Sequence, residues 1–129
     1  MRSLRSTART VSAFEGQIVG GAAQCIGAAL LEKFVYDASG QPQSVTLAGY
    51  VMPTIAEIPN IEVRLFEDAP TPLNPLGVKG AGEAGISAAG AAIAAGVDDA
   101  LGRPDAVRQP PITPNGRHAL RAEIPAAER

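Results

Sequence analysis

The chain has 129 residues, 46% hydrophobic but only 4% aromatic and without Trp, which is enough for one small domain. Ala and Gly carry much of that apolar count, so each buried side chain removes little area from water and close backbone packing is expected. A net charge of −2 with scattered basic residues argues against a nucleic-acid surface, and a lone Cys25 and a lone His118 argue against a disulfide, a cysteine metal cage and a Ser-His-Asp triad.

Residues 1–13 show no period and no caps and read as a loose N-terminal arm. The basic run MRSLRSTAR has no apolar core of a targeting signal, and no stretch approaches the roughly 20 apolar residues of a membrane span. A cytoplasmic protein is the expectation. Residues 14–102 read as one partial domain. In it Ile18, Ala22, Cys25, Ile26, Ala29, Leu30 and Phe34 recur at three- and four-residue spacing, the stripe of an amphipathic helix. Gly20, Gly21 and Gly27 each cost such a helix about 1 kcal/mol relative to Ala. They point to close contact with another backbone or a ligand. Gln17 and Gln24, seven residues apart, share one face.

DASGQPQ is turn chemistry, and SVTLAGYVM (residues 44–52) and IEVRLFE (residues 61–67) read as two strands. Pro53 and Pro59 force an irregular crossing between them, and Pro70, Pro72 and Pro75 stiffen the loop that follows. Residues 83–101 read as a second, Ala-rich helix with Ile86, Ala89, Ile93, Val97 and Leu101 on its stripe and Gly102 in place to end it. Residues 103–129, with Pro104, Pro110, Pro111, Pro114 and Pro125, read as a poorly ordered tail. The fold class expected is α+β: two Gly/Ala-rich helices packed on a small sheet, with Pro-rich irregular crossings.

The stretch NPLGVKGAGEAG carries the chemistry. Gly80, Gly82 and Gly85 spell G-x-G-x-x-G, the dinucleotide fingerprint. That fingerprint needs a hydrophobic strand running into its first glycine, and the lead-in here is broken by proline. Asp98 and Asp99 fall near the distance of the ribose-binding acid but at the end of a helix, and Glu83 would repel a pyrophosphate. Two readings remain. The glycines make a tight turn with Glu83 in the first turn of a helix, where the macrodipole favours it. Alternatively, the glycines clear space and present Glu83 as a general base. Lys79 and the dipole would favour the ionised carboxylate, and desolvation in a closed pocket would oppose it.

Three segments, EGQIVGGAAQCIGAALLEKFVYDASG, GYVMPTIAEIPNIEV and PTPLNPLGVKGAGEAG, resemble in order and spacing the C-terminal part of the molybdenum hydroxylase large subunit. This is the family of xanthine dehydrogenase, aldehyde oxidase and aerobic carbon monoxide dehydrogenase. The resemblance runs from about Glu15 to Leu101 and implies a molybdenum-pterin cofactor, of a dinucleotide form, shared with a partner chain. It implies that Glu83 is the base that takes a proton from a metal-bound hydroxide, that Gly80, Ala81 and Gly82 adjoin the cofactor, and that Gln24 lies near the pterin. Gln24 reads equally as an amide satisfying backbone groups between helices, and Gln17 is a weaker candidate. None of these residues is expected to ligate metal.

The implied partners are the remaining large-subunit segment and iron–sulfur and FAD subunits, with a small-molecule substrate of the aldehyde, N-heterocycle or CO type. The sequence departs from the family at Cys25, where glycine is usual, and at Gly49, where an acidic residue is common. One glycine loop and two glutamines cannot enclose a pterin, so the chain is not expected to turn over substrate alone. A non-catalytic remnant or interaction module, keeping the fold without metal, is the alternative.

Overall fold

Helix α1 (Ala8–Leu30) is a 23-residue run of Ala, Gly and β-branched side chains, in a computed structural model that describes residues 8–123. Its first turns fall in the stretch read as a loose arm. Ala8, Arg9 and Ala13 extend a helix whose packed half has already met the cost of nucleation. Residues 1–7 of that arm lie outside the described residues. No described helix is long and apolar enough to cross a membrane.

Two of the three glycines sit where a neighbour crosses. A Cβ on Gly21 would lie 3.3 Å from the backbone N of Ile86, and one on Gly27 would lie 2.8 Å from Cδ of Pro53. Gly20 faces open space.

The second helix is shorter than its sequence pattern. Helix α2 spans Ala89–Leu101, and residues 82–88 form successive turns instead. The cause is Gly85, which lies so close to α1 that a Cβ would overlap the carbonyl oxygen of Ile18 and sit 2.9 Å from the backbone N of Ala22. The chain bends to lay this glycine across α1 before the helix starts. Gly102 ends α2 in the left-handed conformation (φ 62°), and the N–H of Arg103 reaches back to the carbonyl of Asp98 at 3.0 Å. The Asp98 carboxylate accepts the N–H groups of Asp105 (3.1 Å) and Val107 (2.8 Å), so it organises the following turn.

The Pro-rich tail is more ordered than expected within the described residues. Thr113 accepts the N–H of Gly116 at 3.2 Å and Pro114 takes the first helical position, which starts helix α3 (Pro114–Ala122). Arg103 ties α3 back by donating to the carbonyl of Leu120 (3.2 Å) and to Glu123 (3.1 Å). Ile112 is buried, and its N–H donates to the carbonyl of Ala29 at 2.6 Å. That contact satisfies one of the open carbonyls at the C-terminus of α1. Burying the Ile112 side chain contributes about 2 kcal/mol. Residues 124–129 lie outside the described residues.

The small sheet is absent among the described residues. The first expected strand, residues 44–52, instead holds a turn in which the N–H groups of Gly49 and Tyr50 both donate to the carbonyl of Thr46. The second, residues 61–67, runs without bend, turn or bridge and finds no strand beside it. Among the described residues the one β contact is an isolated antiparallel bridge between Tyr36 and Pro42. It closes a turn around Asp37, whose carboxylate accepts from Ser39, Gln41 and Gln43. What packs is therefore helical. α1 lies on α2, with Cys25, Ala29 and Ile112 as the buried apolar residues. Cys25 acts as a small hydrophobe there, its Sγ 3.5 Å from where a Cβ on Gly90 would stand.

Candidate cofactor-facing loop

Asn74 builds the approach to the glycines. Its Oδ1 accepts the N–H groups of Leu76 and Val78, both at 3.1 Å, and its Nδ2 donates to the carbonyl of Val78 at 2.9 Å. Gly77, at φ 68°, lets the chain turn back, and the N–H of Thr71 bonds to its carbonyl at 3.2 Å. Proline stiffness and one amide thus fix the loop as far as Val78.

Beyond Val78 the character changes. The backbone N–H groups of Lys79, Gly80, Ala81, Gly82 and Glu83 make no hydrogen bond among the described residues. A Cβ on Gly80 or Gly82 would meet nothing within 4 Å. Residues 80–84 and Ser87 line a shallow, open cleft of about 330 Å³. Consecutive free N–H donors without side-chain cover can receive a ligand rich in acceptor atoms.

The far side of the loop is anchored to α1. Nε2 of Gln17 donates to the carbonyl of Gly82 at 3.2 Å. Gly21, one turn on, faces the backbone of Gly85 and Ile86. Downstream, the carbonyl of Glu83 accepts the N–H of Ile86 (3.1 Å), the N–H of Ser87 (3.2 Å) and the Ser87 hydroxyl (2.9 Å). The Glu83 backbone is therefore held from behind while its side chain stays exposed. It makes no ion pair with Lys79 or any other described residue. Glu83 also precedes α2 by several residues and is not in its first turn, so the macrodipole reading does not apply.

Of the expected site residues, Gly80, Ala81, Gly82 and Glu83 come together in one cleft. Gln24 does not join them. It is exposed on α1, about 10 Å along the helix from Gln17, and its side chain makes no hydrogen bond among the described residues. Gln17 holds the loop instead. The sequence reading missed Asn74, although an Asn-Pro pair just before a glycine is a recognisable turn signal. Asp98, weighed as a ribose-binding acid, is occupied by the turn after α2.

Residues 11–59 match the family model described as a molybdopterin cofactor-binding domain. The gamma subunit of the 6-hydroxypseudooxynicotine dehydrogenase complex of Paenarthrobacter nicotinovorans is 48% identical over 99 residues, which are 77% of this chain and 12% of that one. The nicotine 6-hydroxylase large subunit of the same organism is 41% identical over 87 residues, 67% of this chain and 10% of that one. The crystal structure of quinoline 2-oxidoreductase from Pseudomonas putida 86 superposes with a TM-score of 0.81 at 41% identity, covering 90% of this chain and 15% of that one.

This chain belongs to the molybdopterin-binding large-subunit family of xanthine dehydrogenase and aldehyde oxidase. It spans about a tenth of the length of the curated members it matches. The molybdopterin-binding match covers most of α1, with Gln17 and Gln24, and ends before the Gly80 loop.

Proposed function

We propose that the chain is the C-terminal, cofactor-contacting portion of a molybdenum hydroxylase. With a partner chain it carries out oxidative hydroxylation of an aldehyde, an N-heterocycle or a CO-type substrate, using oxygen derived from water. The observation that supports this reading is the row of unpaired N–H groups at residues 79–83, ending on the exposed carboxylate of Glu83 in one cleft.

The residues suit the group. A pterin presents ring carbonyl acceptors, and the backbone N–H groups of Gly80, Ala81 and Gly82 are unpaired among the described residues, with open space where a Cβ on Gly80 or Gly82 would stand. Gln24 supplies a further free amide on the α1 face that Gln17 shares. When bound, the molybdenum-pterin supplies the Lewis-acid and redox chemistry. Glu83 holds the base: one carboxylate oxygen takes the proton from the attacking water. On this chain alone Glu83 faces solvent. A partner that covers the cleft excludes water from the space that Glu83 faces. Iron–sulfur and FAD subunits carry the electrons away.

The test is co-expression with the polypeptide that supplies the rest of a large subunit. Molybdenum in the purified complex is expected, and its absence from a complex that forms would favour the non-catalytic remnant. In the active assembly Glu83→Gln lowers turnover by about 10²-fold or more with molybdenum retained. Unchanged turnover refutes the base role.

A further inference from the structure

Residues 61–66 carry a capacity the chain itself does not use. Every backbone N–H and C=O in this run lacks a hydrogen-bond partner among the described residues. The run is straight, lying between the turn at residues 55–57 and the bend at Asp68. Its side chains alternate. Ile61 and Val63 are half-buried and Leu65, next on that face, is 36% exposed, whereas Glu62, Arg64 and Phe66 are exposed and Glu62 and Arg64 form an ion pair at 2.9 Å. This is the period of a strand with one face already against its own protein. The length is that of an ordinary strand and the composition favours β structure. Both lateral edges are without hydrogen-bond partners among the described residues.

We propose that residues 61–66 form a β-strand that pairs, through its main chain, with a strand of the polypeptide supplying the rest of the large subunit. The proposal rests on the reading of the chain as a large-subunit portion, and it names how that portion attaches. Three observations select this occupant. Unpaired ladder groups are satisfied by another strand far better than by a helix or a ligand. The fold here overlays on 15% of the quinoline 2-oxidoreductase chain while covering 90% of this one, so in that protein it sits within a much longer polypeptide. Finally, the chain exposes 10081 Å², against roughly 6,400 Å² for a compact monomer of its mass. The excess is larger than the share of about 800 Å² that one partner contributes to a standard interface. It includes Phe66, Leu73 and Leu76, which are 80%, 91% and 68% exposed.

The experiment pairs the full chain with the 6-hydroxypseudooxynicotine dehydrogenase gamma subunit from which the matching stretch has been removed. Co-purification, hydrogen exchange at residues 61–66 and metal content are read separately. A one-to-one complex is expected, with exchange at these amides slowed at least 100-fold relative to the chain alone. Val63 and Arg64 direct their N–H groups to opposite edges, so Val63→Pro or Arg64→Pro weakens retention tenfold or more. Circular dichroism of each variant confirms that the three helices remain.

Any of four results overturns the proposal. They are no complex, a complex in which residues 61–66 exchange freely, retention indifferent to both prolines, or protection already present in a dimer of this chain alone. A complex with protected amides but no molybdenum would uphold the strand pairing and count against the cofactor reading.

Discussion

Asn74 bonds to both the N–H and the carbonyl of Val78, and the N–H groups of residues 79–83 that follow make no hydrogen bond among the described residues. Removing that amide should therefore release residues 79–83 without touching the helices. Asn74→Ala is expected to speed exchange of the Val78 amide about fivefold, the equivalent of about 1 kcal/mol, while the α1 amides keep their protection. Equal exchange in both proteins would show that proline stiffness alone holds the approach. The residues of the cleft were legible in the sequence because G-x-G-x-x-G with an embedded glutamate is a local pattern. The anchors were less so. Gln17 and Gln24 look alike on a helical wheel, and only the three-dimensional course of residues 82–86 decides that Gln17 meets the carbonyl of Gly82. A local pattern names what a loop presents, and a contact across 65 positions names what holds it.

Helices were readable as elements because their stripes are long, yet their ends were set by contacts. α2 begins late because Gly85 lies against the backbone of Ile18 and Ala22. That crossing gives a test at the scale of packed elements. Gly85→Ala forces a methyl into the α1 backbone and is expected to destabilise the isolated chain by about 2 kcal/mol, seen in the urea midpoint. Gly80→Ala, with nothing within 4 Å, should change it by less than about 0.5 kcal/mol. Similar losses at the two sites would contradict the crossing.

The strands failed for a different reason. Their β-branched alternation is real, but pairing is a property of two segments, and residues 61–67 meet no second strand among those described. The turn at residues 35–43 adds a pH dependence. Hydrogen bonds from Ser39 and Gln41 hold the Asp37 carboxyl below its usual value of 3.8. Its contribution is then fully present above that value and lost as pH falls through the lower folded one. The Ser39 and Gln41 amides should shift together in that acid window in an NMR titration, and Asp37→Asn should remove the transition. Shifts centred on or above the ordinary carboxylate value would refute the hydrogen-bond account.

At the scale of the molecule, the number that matters is the surface left in water. A 13.2 kDa chain exposes roughly 19,000 Å² when unfolded, and a compact fold of that mass would bury about 13,000 Å² of it. With 10081 Å² still exposed, this chain buries only about 9,000 Å². The few buried apolar residues, Cys25, Ala29 and Ile112, are small or single, so the helices meet without a thick core behind them. Because the denaturant slope follows the surface exposed on unfolding, the isolated chain should show a urea m-value about 0.7 times that of a compact protein of equal size. It should also bind a hydrophobic dye at its exposed apolar residues. Assembly with the rest of a large subunit should abolish the dye signal and raise the slope of the joint transition, because segments such as residues 61–66 would then unfold from a buried state. A full-size m-value for the chain alone, with no dye binding, would mean that it closes its own surface and needs no partner to do so.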